Sequence, residues 1–478
     1  MNRPITMQRS FTWRLRPQER RTLLVAGDFL VAAISLFLAL YFWGSADRFP
    51  GFSVEFIQRR VPAWFFLFPI VWVSLLVELH DAHRAGNLRT TIQGIASATL
   101  LGFGLYLLLY FYYIDPPRSL LPRRGVAGFF VAAPLLTLAW RALYIRIFTD
   151  PQFLRRVMVV GGGKAGQTIL QTVKNLWPPP FYVVGIIDDD ETKKGTVIED
   201  SPVLGTSESL IELVETHHIS DLIVAITGPM RPNMFQVLLD LQEKGVEITR
   251  MPTAYEALLG RVPIRMLEAD WILRSFVDEQ KVSGFYDFVK RLADILGGLI
   301  GVLLMALTLP FAAMAIVLDD GFPIFYTQVR AGKGSQPYTI IKLRTMRRDA
   351  EASGRAQWAS EADTRATRVG RFLRKSHLDE LPQFINVLRG EMSLVGPRAE
   401  RPELMDIFQK NVPFYRARLL VKPGITGWAQ IHFGYASNIE ETTIKLEYDL
   451  YYIKHRSMWI DMIILMRTPA TVFGFRGR

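Results

Sequence analysis

Four apolar stretches fill the first 150 residues, and no other feature restricts the fold so strongly. They run over about 22–43, 62–79, 91–114 and 125–148. Each is close to the ~20 residues a helix needs to cross the hydrocarbon core. With hydrophobic residues at 50% and charged residues at 21%, the chain is neither disordered nor purely soluble. A four-helix transmembrane bundle is expected over residues 1–150. The first stretch contains Asp28 near its start. An acid there costs roughly 2.5–3.5 kcal/mol, which the surrounding apolar residues outweigh, so Asp28 reads as an interfacial or bundle-facing acid. The stretch is too long for a cleavable signal and lacks a small-residue cleavage site. Arg3, Arg9, Arg14, Arg16, Arg20 and Arg21 precede it and set the N-terminus on the cytoplasmic side, although the 44–61 and 115–124 loops also carry three arginines each. His80-Asp81-Ala82-His83 has metal-like spacing but no further ligands nearby, and reads as a polar loop.

Composition turns soluble near Pro151, and residues 151–275 read as an α/β Rossmann-like parallel-sheet domain. A strand over 156–160 runs into Gly161-Gly162-Gly163-Lys164-Ala165-Gly166 and an apolar-periodic helix. This is G-x-G-x-x-G between strand and helix, where Gly161, Gly163 and Gly166 allow close approach of a pyrophosphate. A second strand over 182–187 ends in Asp188-Asp189-Asp190, and Asp188 stands where a ribose-binding acid belongs. Two readings stay open: a domain kept for packing, dimerisation or regulation, and one that binds a nucleotide.

Residues 280–478 form the third unit. It opens with 24 uncharged residues, 295–318, broken by Pro310. They read either as a fifth span or as a Pro-kinked re-entrant helix over about 286–318, and hydropathy does not separate the two. Tyr286-x-x-x-Lys290 matches the pair of short-chain dehydrogenases but abuts this apolar run, where Tyr and Lys are ordinary interface anchors. Further on, arginines crowd two adjacent carboxylates, Asp379 and Glu380, at a helix start with Asp379 as its cap. A helix N-terminus and nearby Arg keep a carboxylate ionised. An ionised Asp can attack phosphorus while its neighbour holds Mg²⁺.

The blocks Lys342-Leu343-Arg344-Thr345-Met346, 373–383, Met392-Ser393-Leu394-Val395-Gly396-Pro397-Arg398, 422–430 and 447–453 occur in order. With them, residues 283–478 resemble the bacterial sugar transferase family, the monotopic phosphoglycosyl transferases. The whole chain resembles its long members, the polyprenyl-phosphate hexose-1-phosphate transferases. The resemblance implies a mainly α monotopic catalytic domain with a re-entrant helix broken at Pro310. It implies a UDP-hexose donor (glucose or galactose), Mg²⁺ held by Asp379 and Glu380, and a phosphosugar ester on Asp379. UMP leaves, and polyprenyl (undecaprenyl) phosphate accepts the sugar phosphate in the first membrane step of exopolysaccharide, capsule or O-antigen synthesis. Lys342, Arg344, Arg374, Gln383, Pro397, Arg398 and Asp449 match substrate-contacting positions. A homodimer is implied. One departure stands out: the family's Pro-Arg-Pro reads Pro397-Arg398-Ala399, which leaves the loop's stiffness open.

The balance of 56 basic and 45 acidic residues gives a formal net charge of +11, suited to anionic membrane lipids and phosphate ligands. Nucleic acid is not expected, since the arginines gather around carboxylates. Cys is 0, which excludes disulfides and thiolate chemistry. The expected location is the bacterial inner (plasma) membrane, multi-pass, with both later domains on the cytoplasmic face. A membrane-bound NAD-dependent dehydratase or epimerase and a non-catalytic scaffold are the alternatives.

Overall fold

The computed structural model describes residues 17–46, 51–80, 85–112, 122–148, 154–177, 179–266, 284–348, 365–434, 436 and 438–472. Arg3, Arg9, Arg14, Arg16 and residues 81–83 lie outside them. Two compact units divide the chain, Met1–Met251 and Pro252–Arg478. Residues 252–266, assigned to the middle domain on sequence, therefore fold with the second unit.

In the first unit, three apolar stretches form long helices: α1 (Pro17–Ala46), α4 (Leu88–Tyr112) and α5 (Arg123–Phe148). Between α1 and α4 come α2 (Val54–Arg60) and α3 (Phe68–Leu75). The stretch expected as one span over 62–79 is not a single helix. It is a 3-10 turn, Ala63–Leu67, then α3, then a second 3-10 turn, Val77–His80. Pro62 and Pro69 reset the chain, because proline lacks the N–H that would continue a preceding helix. Asp28 is a bundle-facing acid, fully buried, and its Oδ2 accepts from His80 Nε2 at 2.9 Å and from the Arg141 guanidinium. His80 is thus a buried partner of Asp28 rather than a loop residue.

The sheet of this unit has the order β3-β4-β2-β1-β5-β6. β1 (Arg156–Val160) lies between β2 (Tyr182–Ile187) and β5 (Asp221–Val224), parallel to both. β4 (Ser201–Gly205) and β6 (Glu247–Arg250) extend the parallel set, and β3 (Val197–Ile198) is an antiparallel edge. The helices are α6 (Lys164–Asn175), α7 (Leu210–Thr216) and α8 (Pro232–Glu243). Gly161 has φ +105, and a Cβ on Gly166 would come within 2.0 Å of the Gly161 carbonyl oxygen. Both glycines serve the tight strand-to-helix turn. The Gly163 side of the loop is open.

From the last residue of the first unit, α9 (Met251–Leu259) runs into the second and leads to a 3-10 turn, Ile264–Met266. α10 (Gly284–Asp320) is one 37-residue helix. It continues through Pro310, so the break expected there does not interrupt it. Proline removes one backbone bond, and the Thr308 hydroxyl donates to the Leu304 carbonyl a turn earlier, at 2.9 Å. Gly298 and Gly301 face Leu388 and Phe384 closely. Asp294 accepts from the Ser393 hydroxyl and the Leu394 N–H at 2.9 and 2.8 Å. Near the other end, Ala312 and Ile316 pack on Leu343 and Leu373, and Asp319 accepts from the Val369 N–H. One folded unit therefore holds both ends of this apolar helix, while Leu303, Leu307 and Phe311 stay exposed.

The remaining elements are the antiparallel hairpin β7 (Phe325–Ala331) and β8 (Pro337–Leu343), α11 (Arg368–Lys375), α12 (Gln383–Arg389), β9 (Ser393–Val395), α13 (Pro402–Asn411), β10 (Gly424–Thr426), α14 (Trp428–His432), α15 (Ile439–Lys454) and α16 (Met458–Val472). On α16, Ile460, Ile463 and Ile464 are buried while Trp459 and Met462 are exposed. The helix is thus both core-packed and apolar on its outer face.

Candidate active site

Asp379 and Glu380 sit side by side on a 3-10 turn, Leu378–Glu380, entered through His377 in the left-handed region at φ 55. Asp379 is not a helix cap, because α12 starts four residues later with Pro382 at its N-cap. The turn is held from two sides. α11 is capped by Thr367, whose hydroxyl accepts from the Gly370 N–H, and Gly370 lies so close to Thr345 that any side chain would clash. This packing sets Arg374 Nε against Thr345 Oγ1 at 3.1 Å. On the far side, the parallel β9–β10 pair presents Gly396-Pro397-Arg398. Gly396 N–H donates to Thr426, and Gly424 N–H donates to the Pro397 carbonyl, both at 2.9 Å.

Lys342, from β8, and Arg398 meet on one oxygen. Lys342 Nζ and Arg398 Nη2 both donate to Glu380 Oε1, at 2.8 and 2.7 Å. Burial alone would raise the Glu380 carboxyl, but Arg398 and Lys342 outweigh it and hold the group well below the ordinary range. Asp379 behaves oppositely. Burial, reinforced by the Glu380 charge, pushes it up to about 6, against the pull of Lys342, Arg398 and Arg374. The expectation that cations keep the pair ionised thus holds for Glu380 and less for Asp379. The Asp379 carboxylate accepts no hydrogen bond among the described residues. It is a buried carboxyl whose oxygens are left uncommitted by the described residues.

A small cleft beside the pair is lined by Arg330, Lys342, Gln383 and Arg398. Gln383 is 3% exposed, yet among the described residues its Nε2 has no partner, and Arg330 Nε is likewise unpaired. Buried polar groups are normally satisfied, so two orphan donors beside two cations mark a place for an anionic or carbonyl-rich ligand.

Comparison with known proteins bears on this geometry. Residues 285–475 match the family model described as bacterial sugar transferase, and residues 76–252 match one described as CoA-binding domain. A UDP-glucose:undecaprenyl-phosphate glucose-1-phosphate transferase of Escherichia coli is 31% identical over 316 residues, covering 66% of this chain and 67% of its own length. The chain belongs to the bacterial sugar transferase family. A UDP-N-acetylgalactosamine-undecaprenyl-phosphate N-acetylgalactosaminephosphotransferase of Aeromonas hydrophila is 42% identical over 224 residues, 47% of this chain and 52% of its own length. This sugar transferase is similar to a second glucose-1-phosphate transferase, of Xanthomonas campestris pv. campestris, at 28% identity over 73% of the chain and 74% of that protein.

The other expected site residues fall in different places. Arg344 does not join the carboxylate pair. Its guanidinium binds the Asp320 and Gly321 carbonyls and the Asp320 carboxylate, which ties the C-terminus of α10. Asp449 stands behind the site, 2% exposed and 2.9 Å from Arg418 Nη2. Arg418 in turn donates to the Arg398 carbonyl at 2.9 Å. The Ala399 carbonyl accepts from Arg330 at 3.3 Å. The carbonyls of Pro397, Arg398 and Ala399 are therefore all bonded, which stiffens the loop where the usual second proline is missing.

Tyr286 and Lys290 both bind Asp461 of α16, at 2.9 and 2.8 Å, and so knit helices together rather than form a dehydrogenase pair. In the parallel-sheet domain, Asp188 accepts from Gly162 N–H, Asp190 N–H and Lys193 Nζ at 2.8, 3.0 and 2.9 Å. It closes the glycine loop instead of standing open to a ribose. Arg330, Arg418 and Lys445 carried no assignment on sequence. Burial, together with Arg418 and Arg398, draws Lys445 down to about 8, against the pull of Glu400 and Asp449. Arg330 lay within the cation-rich hairpin sequence, the one available signal for it.

Proposed function

We propose that this enzyme of the bacterial sugar transferase family transfers a sugar-1-phosphate from a UDP-sugar to undecaprenyl phosphate and releases UMP. The observation that carries the reading is Asp379: buried, without a hydrogen bond among the described residues, and surrounded by Glu380, Lys342, Arg398 and Arg374. An Asp379 oxygen attacks the sugar-bearing phosphorus, and the bond to the bridging oxygen of UMP breaks. The acceptor phosphate oxygen then attacks the same phosphorus, the aspartyl ester bond breaks, and the polyprenyl diphosphate sugar leaves. Arg398 and Lys342 fix Glu380 and spread positive charge where the phosphoryl oxygens gather, the main requirement of such transfers. Gln383 and Arg330 offer donors to the nucleotide sugar.

Asp379 and Glu380 would hold Mg²⁺, which supplies charge neutralisation when bound. Among the described residues no set of three acidic or histidine side chains exists for a metal. Mg²⁺ commonly takes one or two carboxylates and completes its shell with substrate phosphates and water, so the pair fits.

The donor reading rests on relatives that divide between glucose and N-acetylgalactosamine; glucose or galactose is the plain-hexose form. The chain sits in the inner membrane with α10 entering and leaving at the cytoplasmic face, supported by both helix ends binding one folded unit. A homodimer, anionic lipid contacts and a place at the start of surface polysaccharide assembly complete the reading. The test is UMP release from a panel of UDP-sugars with Mg²⁺ and undecaprenyl phosphate. Release from one or more donors is expected, and none from any donor overturns the proposal.

A further inference from the structure

We infer that the segment 252–266, which runs from the end of one family-matched stretch into the gap before the other, is a strap that positions the active-site Arg398, and through it Glu380, across α15. The role rests on the reaction proposed above.

α15 carries two buried carboxylates, Glu447 and Asp449. Two residues apart on a helix, they point about 200° from one another. Glu447 is clasped entirely from the strap. Arg261 Nε lies 3.5 Å from its carboxylate. Its backbone carbonyl accepts from the Val262 N–H at 3.1 Å, and the Ile264 N–H closes the strap's own turn on the Val262 carbonyl at 2.9 Å. Two turns on, Glu256 of the strap binds Lys454 and His455 at 3.2 and 3.0 Å. Trp428 Nε1 donates to the Gly260 carbonyl at 2.7 Å, next to β10. Val262 and Ile264 are fully buried in the core that contains Leu450, Ile453 and Val395.

Asp449 takes up the other side. It binds Arg418 at 2.9 Å, and Arg418 holds the Arg398 carbonyl at 2.9 Å. Arg398 Nη2 then meets Glu380 at 2.7 Å. An ion-pair contact, one rigid helix and a run of charge-assisted bonds thus lead from Arg261 to the carboxylate pair. Charge-assisted bonds are the stronger class, and coupling travels through such packed, bonded networks. Arg261 and Glu447 are positioning residues; neither touches substrate.

The experiment uses the full chain in lipid nanodiscs, comparing wild type with Arg261→Ala, Arg261→Lys, Glu447→Gln, Asp449→Asn and Arg261→Ala/Asp449→Asn. Amide exchange is read alongside UMP release. In Arg261→Ala, exchange of the amides over 396–400 is expected to rise and turnover to fall, each about tenfold. Arg261→Lys restores part of both. The double variant is no worse than its worse single, because the two sites act in series. Glu447→Gln, a near-isosteric change, follows the same pattern if Arg261→Ala fails to fold. Exchange changes confined to 255–266 and 444–450, or turnover within about twofold of wild type, overturn the inference. If wild type releases no UMP from any UDP-sugar, the proposed reaction fails, and exchange over 396–400 alone decides the strap.

Discussion

Replacing Lys342 by Met removes one of the two cations that share Glu380 Oε1, at 2.8 Å, and leaves Arg398 at 2.7 Å. Both carboxylates are largely withdrawn from water, so the loss is poorly screened. A cation within hydrogen-bonding distance lowers a carboxyl pKa by about 1–3 units, and its removal raises the pair by a similar amount. Asp379 already lies at about 6, through burial and the Glu380 charge. In the proposed reaction its ionised form attacks, so activity is lost as pH falls through that value. In wild type the acid limb of kcat/KM therefore falls near pH 6. In Lys342→Met it moves up to about 7–9, reported by the pair as a whole. Near pH 6, where wild type is already half ionised, the variant loses about 5–500-fold, and most of that loss is recovered at high pH. The assay is UMP release across pH 5 to pH 9.5. An acid limb left near pH 6, with only KM raised, would refute the claim that Lys342 sets the ionisation of this pair.

Gln383→Leu should cost less than about 1 kcal/mol of stability, because its Nε2 makes no bond among the described residues. Donor KM should nevertheless rise about tenfold; unchanged KM in steady-state kinetics would remove Gln383 from the site. In the membrane helices, Arg141→Met leaves buried Asp28 without its strongest partner and should destabilise by about 3–5 kcal/mol. Asp28→Leu/Arg141→Met should recover most of that loss, read as thermal midpoints in detergent; a double variant as unstable as Arg141→Met would contradict a simple buried ion pair.

Period and turn chemistry made much of the fold legible. Strands over 156–160 and 182–187 sit where their β-branched runs place them, and the glycine turn between β1 and α6 follows from Gly161 and Gly166. The site's membership was legible as ordered blocks: Lys342, Glu380 and Arg398 lie far apart in sequence yet share one oxygen. Local pattern failed where distant residues decide. The 62–79 stretch looked like one span because hydropathy ignores Pro62 and Pro69. His80 looked idle because its partner is 52 residues away. Residues 252–266 looked like the tail of the middle domain because Glu447, their main partner, lies on a helix near the other end of the chain. Arg344 and Asp449 shared the motif chemistry of their neighbours but are spent on a helix end and on Arg418. The opposite shifts of Asp379 and Glu380 depend on which oxygen the cations reach, and no spacing encodes that.

The most direct measurement is the intact mass of the full-length protein after brief exposure to its UDP-sugar and Mg²⁺ without polyprenyl phosphate. A single sugar-phosphate adduct is predicted, mapping to the peptide that contains Asp379, discharged by adding undecaprenyl phosphate and absent in Asp379→Asn. Turnover without any adduct, or an adduct that persists in Asp379→Asn, would contradict the account.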